Sequence, residues 1–214
     1  MTEHHLAVTR SARYYQSGPV GASTRHVWFV CHGYGQLAAY FTRHFAFLTE
    51  ADPAAVVVAP EGLSRFYLNG TDGRVGASWM TRDDRLAEID DHVAFLDQLA
   101  AQVLAGASPG VHITVLGFSQ GTATVGRWLA RASFRPAHLV LWAGGFPEDV
   151  APAAARQLLA GLDLTLVVGT HDDYVSPLHA QAQLQQLRAS GGAPRLLTFE
   201  GRHELNADVL RQLA

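Results

Sequence analysis

The sequence predicts an α/β fold, a mostly parallel central sheet with helices on both faces, built as one domain over residues 1–214. Three observations predict it. From about residue 26 onward, short apolar runs rich in β-branched residues alternate with amphipathic stretches, the pattern of strands linked by crossover helices. Most of those runs are continuously apolar, as strands covered on both faces should be. There is no internal repeat, low-complexity tract or long linker, and a chain of 214 residues with 48% hydrophobic content can bury about 70% of its unfolded surface around one core.

In chain order, Leu6–Arg10 and Ala12–Tyr15 are expected to form an antiparallel edge hairpin. Six strands follow, over His26–Cys31, Ala55–Ala59, Ile113–Gly117, Leu139–Trp142, Leu164–Val168 and Leu196–Phe199. The clearest helix carries Leu86, Ile89, Val93, Leu96, Leu99 and Val103 at three- and four-residue steps, one apolar stripe facing the sheet, with Thr81 or Asp83 available to cap its start. Another begins at Ser176-Pro177, where the serine can cap free amides and proline suits the first turn, and ends at Gly191-Gly192. Shorter helices are expected near 38–50, 120–133, 152–160 and 204–213. The stretch "EGLSRFYLNGTDGRVGASW" from Glu61 to Trp79 mixes glycines with aromatics and is expected to be an irregular segment rimming a binding site.

Composition excludes several classes. The net charge is −3 and the 16 basic residues are scattered, so nothing gathers phosphates and nucleic acid is not an expected partner. The apolar runs fall far short of the ~20 residues of a membrane span. The single cysteine, Cys31, cannot close an intramolecular disulfide, and "MTEHHLAVTR" lacks a secretory signal, so a cytoplasmic location is expected. No metal-ligand constellation, phosphate loop or dinucleotide fingerprint occurs, and no cofactor is expected.

The chemistry centres on "HITVLGFSQGT" at 112–122. A buried strand gains nothing from ending in two glycines and a hydroxyl, unless Ser119 is held on a sharp strand-to-helix turn with its hydroxyl exposed as a nucleophile. Gly117 and Gly121 then let strand and helix pass closely. A serine hydroxyl needs a base within hydrogen-bond reach and a third group to orient that base. "GTHDDYVSP" puts Asp172 and Asp173 after the strand Leu164–Val168, and "EGRHEL" puts His203 after Leu196–Phe199. All three loops leave the carboxyl ends of parallel strands, where open α/β sheets bind ligands.

The chain order Ser119, Asp172, His203 resembles the α/β-hydrolase fold, and the resemblance spans nearly the whole chain. Within that fold the motifs at Gly117–Gly121, Gly169–Asp172 and Gly201–Glu204 resemble the compact carboxylesterase and lysophospholipase group that includes the acyl-protein thioesterases. The resemblance implies Asp172, three residues after the glycine, as the orienting acid, with Asp173 its rival. It implies an oxyanion hole from the backbone amides of Gln120 and of Tyr34 in "CHGYGQ", with His32 holding that loop and not acting as the base. Cys31 reads as a buried apolar filler. Trp79, Phe66, Tyr67, Phe146, Tyr174 and Val175, together with the Tyr34 ring, are the expected pocket lining.

The run "QLAAYFTRHF" after the oxyanion loop and the loop "GASWMT" both depart from the thioesterase-like members. A protein-thioesterase substrate therefore does not follow, and the absence of a large lid insertion points to modest substrates. The expected activity is hydrolysis of carboxylic esters with small or medium acyl chains through an acyl-enzyme. The alternatives are use of the same triad by an acyltransferase, which discharges the acyl-enzyme to an acceptor other than water, or by a (lyso)phospholipase/thioesterase, and a ligand-binding protein that keeps the fold without turnover.

Overall fold

The computed structural model describes residues 1–214. Its main sheet has seven strands: β1 (Tyr14–Ser17), β2 (His26–Cys31), β3 (Ala55–Pro60), β6 (His112–Phe118), β7 (His138–Trp142), β8 (Asp163–Gly169) and β9 (Arg195–Phe199). Their spatial order is β1-β3-β2-β6-β7-β8-β9, with β1 antiparallel to β3 and every other pair parallel. A separate two-stranded hairpin joins β4 (Ser64–Tyr67) to β5 (Val75–Ser78). The helices are α1 (Ala38–Phe41), a 3₁₀ turn at Thr42–Phe45, α2 (Ala46–Ala51), α3 (Arg85–Gly106), α4 (Gln120–Leu129), α5 (Pro152–Leu159), α6 (Pro177–Ala189) and α7 (Ala207–Gln212).

Both faces of the sheet are dry, which is why the strands read as unbroken apolar runs. Along β2, Val27 and Phe29 join a core of 30 buried residues that includes Val125 and Trp128 of α4 and Ile89, Val93, Leu96, Leu99 and Val103 of α3. The intervening Trp28 and Val30 point the other way, into a core of 18 residues with Phe41, Phe45 and Leu210. Adjacent parallel strands in register bring the carboxyl ends of β2, β6 and β7 to one edge, Cys31 opposite Gly117 and Phe118 opposite Trp142. The loops after β2, β6, β8 and β9 leave from that side.

Five expectations are corrected. Residues 1–13 form no hairpin: they are exposed and without regular structure, and the edge strand begins at Tyr14. The segment 61–79 is not wholly irregular, because β4 and β5 pair within it from Ser64↔Ser78 to Tyr67↔Val75. Neither Thr81 nor Asp83 caps α3: Asp84 holds the cap position at φ 46° without a side-chain cap bond, while Glu88 in the first turn accepts hydrogen bonds from Thr81 and from the Ser64 hydroxyl. Leu86 is 68% exposed, so the apolar stripe starts one turn later, at Ile89. The last helix starts at Ala207 because Asn206 Oδ1 accepts from the amides of Asp208 and Val209. No helix is long and apolar enough to cross a membrane.

Candidate active site

Ser119 stands between the last residue of β6 and the first of α4 with φ 53° and ψ −118°. This is a left-handed backbone position that a residue with a side chain occupies only at a cost of about 1–3 kcal/mol. The turn is held by the Ser119 amide donating to the Trp142 carbonyl at 2.8 Å and by the Thr122 amide donating back to the Ser119 carbonyl at 3.0 Å. The flanking glycines are steric necessities. A Cβ at Gly117 would lie 2.4 Å from the Gly121 carbonyl oxygen, and one at Gly121 would lie 2.3 Å from the Cys31 carbonyl oxygen.

His203, on the loop after β9, spans the two other sequence-predicted groups. Its Nε2 is 2.8 Å from Ser119 Oγ, and its Nδ1 is 2.8 Å from Asp172 Oδ2 and 3.0 Å from Oδ1. A carboxylate can only accept, so Nδ1 carries the proton and Nε2 offers its lone pair to the serine hydroxyl. The imidazole lies between Phe118 and Tyr174, with ring centroids at 5.1 and 4.7 Å. Trp142 Nε1 donates to the Glu204 carbonyl at 2.9 Å and fastens the loop to the sheet.

The Asp172 side chain is fully buried. Its Oδ1 also accepts from the amides of Tyr174 and Val175 at 2.8 and 2.9 Å, which fixes the carboxylate by its own loop. Asp173 points to solvent, 70% exposed and 3.7 Å from Arg202. The rival acid is thereby placed away from the imidazole.

The loop after β2 packs directly on Ser119: a Cβ at Gly33 would come 3.1 Å from Ser119 Cβ. His32 is fully buried and burial pushes its pKa down. Its Nδ1–H donates to the Gly33 carbonyl at 2.7 Å, and its Nε2 accepts from the Gly62 amide at 3.0 Å, so both ring nitrogens are committed to holding the loop. The Gly33 amide donates to Gln36 Oε1 at 2.8 Å, and the Gly35 amide to the Ala77 carbonyl at 2.9 Å. The Tyr34 amide between them has no acceptor in the protein. The Gln120 amide is at the first position of α4, where helix amides have no intrahelical partner.

Two contributions escaped the sequence. The Gln120 side chain clamps the segment after β5: its Oε1 accepts from the Trp79 amide at 3.1 Å and its Nε2 donates to the Met80 carbonyl at 2.8 Å. Gln36 braces the loop from within. The only signal for either was a polar residue beside a glycine in "GFSQG" and "GYGQ".

The predicted pocket lining divides. The Tyr34 ring is 60% exposed and packs on Phe66 with centroids 5.1 Å apart. Tyr67 and Tyr174 are exposed, and Val175 lies half-buried beside Asp172. Trp79 and Phe146 are core residues, 1% and 4% exposed, and present no surface to a substrate. Trp79 works from beneath, donating from Nε1 to the His32 carbonyl at 2.8 Å. Cys31 is buried and its thiol pKa is pushed up by desolvation, the opposite of what a second nucleophile requires. Glu3, His5 and Asp84 bring ligand atoms within 4.8 Å of one another on the surface, on segments that take no part in this site.

No family model and no curated protein matches the chain. Solved structures do. Esterase PE8 superposes with a TM-score of 0.70 at 22% identity, covering 96% of this chain and 100% of its own. Acyl-protein thioesterase 2 of Zea mays gives 0.72 at 20% identity, with 95% and 96% covered. A carboxylesterase from Mesorhizobium loti gives 0.70 at 22%, with 94% and 93% covered. The fold is the α/β-hydrolase fold.

Proposed function

We propose that the chain is one α/β-hydrolase domain that cleaves carboxylic esters of small or medium acyl chains through an acyl-enzyme. The observation that carries this reading is the continuous hydrogen-bond path from Ser119 Oγ through His203 to the buried Asp172. Ser119 Oγ attacks the ester carbonyl while His203 Nε2 takes the hydroxyl proton. Collapse of the tetrahedral intermediate breaks the bond to the leaving oxygen, which receives that proton. Water, deprotonated by the same nitrogen, then attacks the acyl-serine and releases the acid. Asp172 orients the imidazole and stabilises its cation. The amides of Tyr34 and Gln120 receive the oxyanion, each such donor contributing about 2.7–4 kcal/mol to the barrier reduction. The likeness to an esterase, a thioesterase and a carboxylesterase supports the class of chemistry.

The test is hydrolysis of p-nitrophenyl acetate and octanoate by wild type and Ser119→Ala. Turnover is expected in the wild type and its loss in the variant; equal rates in both would refute the proposal.

A further inference from the structure

Glu61 directly follows β3, and its carboxylate is fully buried, a place an ionised group keeps only with strong partners. Its Oε1 accepts from Arg13 Nε and from Arg65 Nε, each at 2.7 Å. Arg13 comes from the segment before β1, where its carbonyl also accepts from the Glu61 amide at 3.1 Å, and Arg65 comes from β4. Oε2 serves a different donor, the Ala38 amide at 3.2 Å. Burial alone would raise the Glu61 pKa, but the hydrogen bonds from Arg13 and Arg65 hold it below the ordinary carboxylate value. The group is therefore charged at neutral pH.

These contacts close on the loop that carries the Tyr34 amide, one of the two proposed oxyanion donors. The loop ends at Ala38, the first residue of α1, whose cap residue Leu37 makes no side-chain cap bond. It begins at His32, whose Nε2 accepts from the amide of Gly62, the residue next to Glu61. Between these ends the Gly35 amide donates to the Ala77 carbonyl and the Ala77 amide to the Gln36 carbonyl, and Ala77 stands opposite Arg65 in the β4–β5 ladder. Glu61 and Gly62 thus grip both ends of the loop, and Arg65 ties them to its middle. An apolar side chain of similar size would serve stability as well, but it could not fix the place of an amide. We propose that Glu61 is a positioning residue for the Tyr34 amide, holding the loop from His32 to Ala38 in the shape that receives an oxyanion. This deepens the ester-hydrolase reading and rests on it.

The test is Glu61→Gln, which keeps the size but cannot accept from Ala38 and from both guanidiniums at once, because one of its terminal atoms is now a donor. On p-nitrophenyl acetate kcat should fall by about tenfold to hundredfold, the range for a donor displaced by about an ångström. KM should stay within about twofold of wild type, since the lost contact forms only on the way to the tetrahedral intermediate. A second readout is specific to the oxyanion. Hexyl trifluoromethyl ketone is attacked by Ser119 Oγ, whose proton passes to His203, and the adduct puts a negative oxygen where that of an ester would form. Its Ki should rise by a factor similar to the loss in kcat. Urea unfolding establishes that the variant is folded in the assay. A folded variant with wild-type kcat and Ki overturns the inference, as does a loss carried wholly by KM while Ki stays put. If Glu61→Gln does not fold, Arg65→Gln, which leaves the carboxylate paired with Arg13, takes its place: a smaller loss of kcat with a matching rise in Ki is expected, and no change in either overturns the inference. A wild type that hydrolyses no ester brings down the hydrolase reading and this inference with it, a result distinct from an active wild type with indifferent variants.

Discussion

Trp79 and His32 are joined by a hydrogen bond of 2.8 Å from the indole Nε1 to a backbone carbonyl, inside the protein and beside the loop that packs on Ser119. Their rings also stack with centroids 5.0 Å apart. This pair couples the end of β5 to the loop that supplies one of the proposed oxyanion amides. Trp79→Phe keeps most of the ring volume but orphans a buried carbonyl, at a cost of about 1–3 kcal/mol. We expect Tm to fall by ~2–4 °C for each kcal/mol lost, and kcat to fall more than KM rises. Unchanged kcat would mean that the loop keeps its shape without the indole.

The two aspartates beside each other give a sharp contrast. Asp172→Asn should lower kcat by about 10⁴, because the amide can stabilise the wrong imidazole tautomer. Asp173→Asn removes only an exposed contact 3.7 Å from Arg202 and should leave kcat within about twofold. Parallel rate measurements on the two variants check this; comparable losses would reverse the assignment.

Gly121→Ala should abolish soluble expression or destabilise the protein severely. The added methyl would sit 2.3 Å from the Cys31 carbonyl oxygen and 2.8 Å from that of His32, both backbone atoms in buried structure that cannot turn aside. Gly70→Ala is the matched control in space, since nothing lies within 4 Å of its Cβ, though its φ of 67° carries some strain. Urea midpoints for the two variants should differ widely.

Acid should unfold the protein through two histidines that folding removes from water, His26 in part and His92 wholly. Burial, reinforced for His26 by neighbouring His112, lowers the pKa of His26 to about 4, and burial lowers that of His92 to about 4. The His92 Nε2 has no hydrogen-bond partner. In the unfolded chain each titrates near the ordinary value of ~6.5. Between ~6.5 and about 4 the unfolded state therefore binds more protons than the folded one, and stability falls as pH is lowered through that window. It is intact above it. Urea midpoints at pH 7.5 and pH 5.0 measure the effect, and equal midpoints would contradict it.

Much of the fold was legible because two-sided burial leaves a plain trace: the six runs from His26 to Phe199 are strands within a residue or two of their expected limits. The strand-to-helix turn at Ser119 was legible for a steric reason, since glycine is required on both sides of it by backbone contacts. What could not be read depended on partners distant in sequence. The hairpin over residues 64–78 seats on the loop after β2 through Gly76, where a Cβ would lie 2.4 Å from the Gly35 carbonyl oxygen. Trp79 has the composition of a pocket residue, and only the packed structure puts it under the loop. Motif spacing favoured Asp172 over Asp173 as the proposed acid; the burial of Asp172 and its two backbone amide donors could not be read.

The proposed base hangs from β9, the outermost strand of the sheet, whose residues are only partly covered until Phe199. A border strand of this kind detaches at lower free energy than the centre. Heating should accordingly silence the proposed activity while tryptophans away from that margin, Trp79 and Trp128, still report native surroundings. Endurance would then be improved most by fastening that margin, not by enlarging an interior that is already filled.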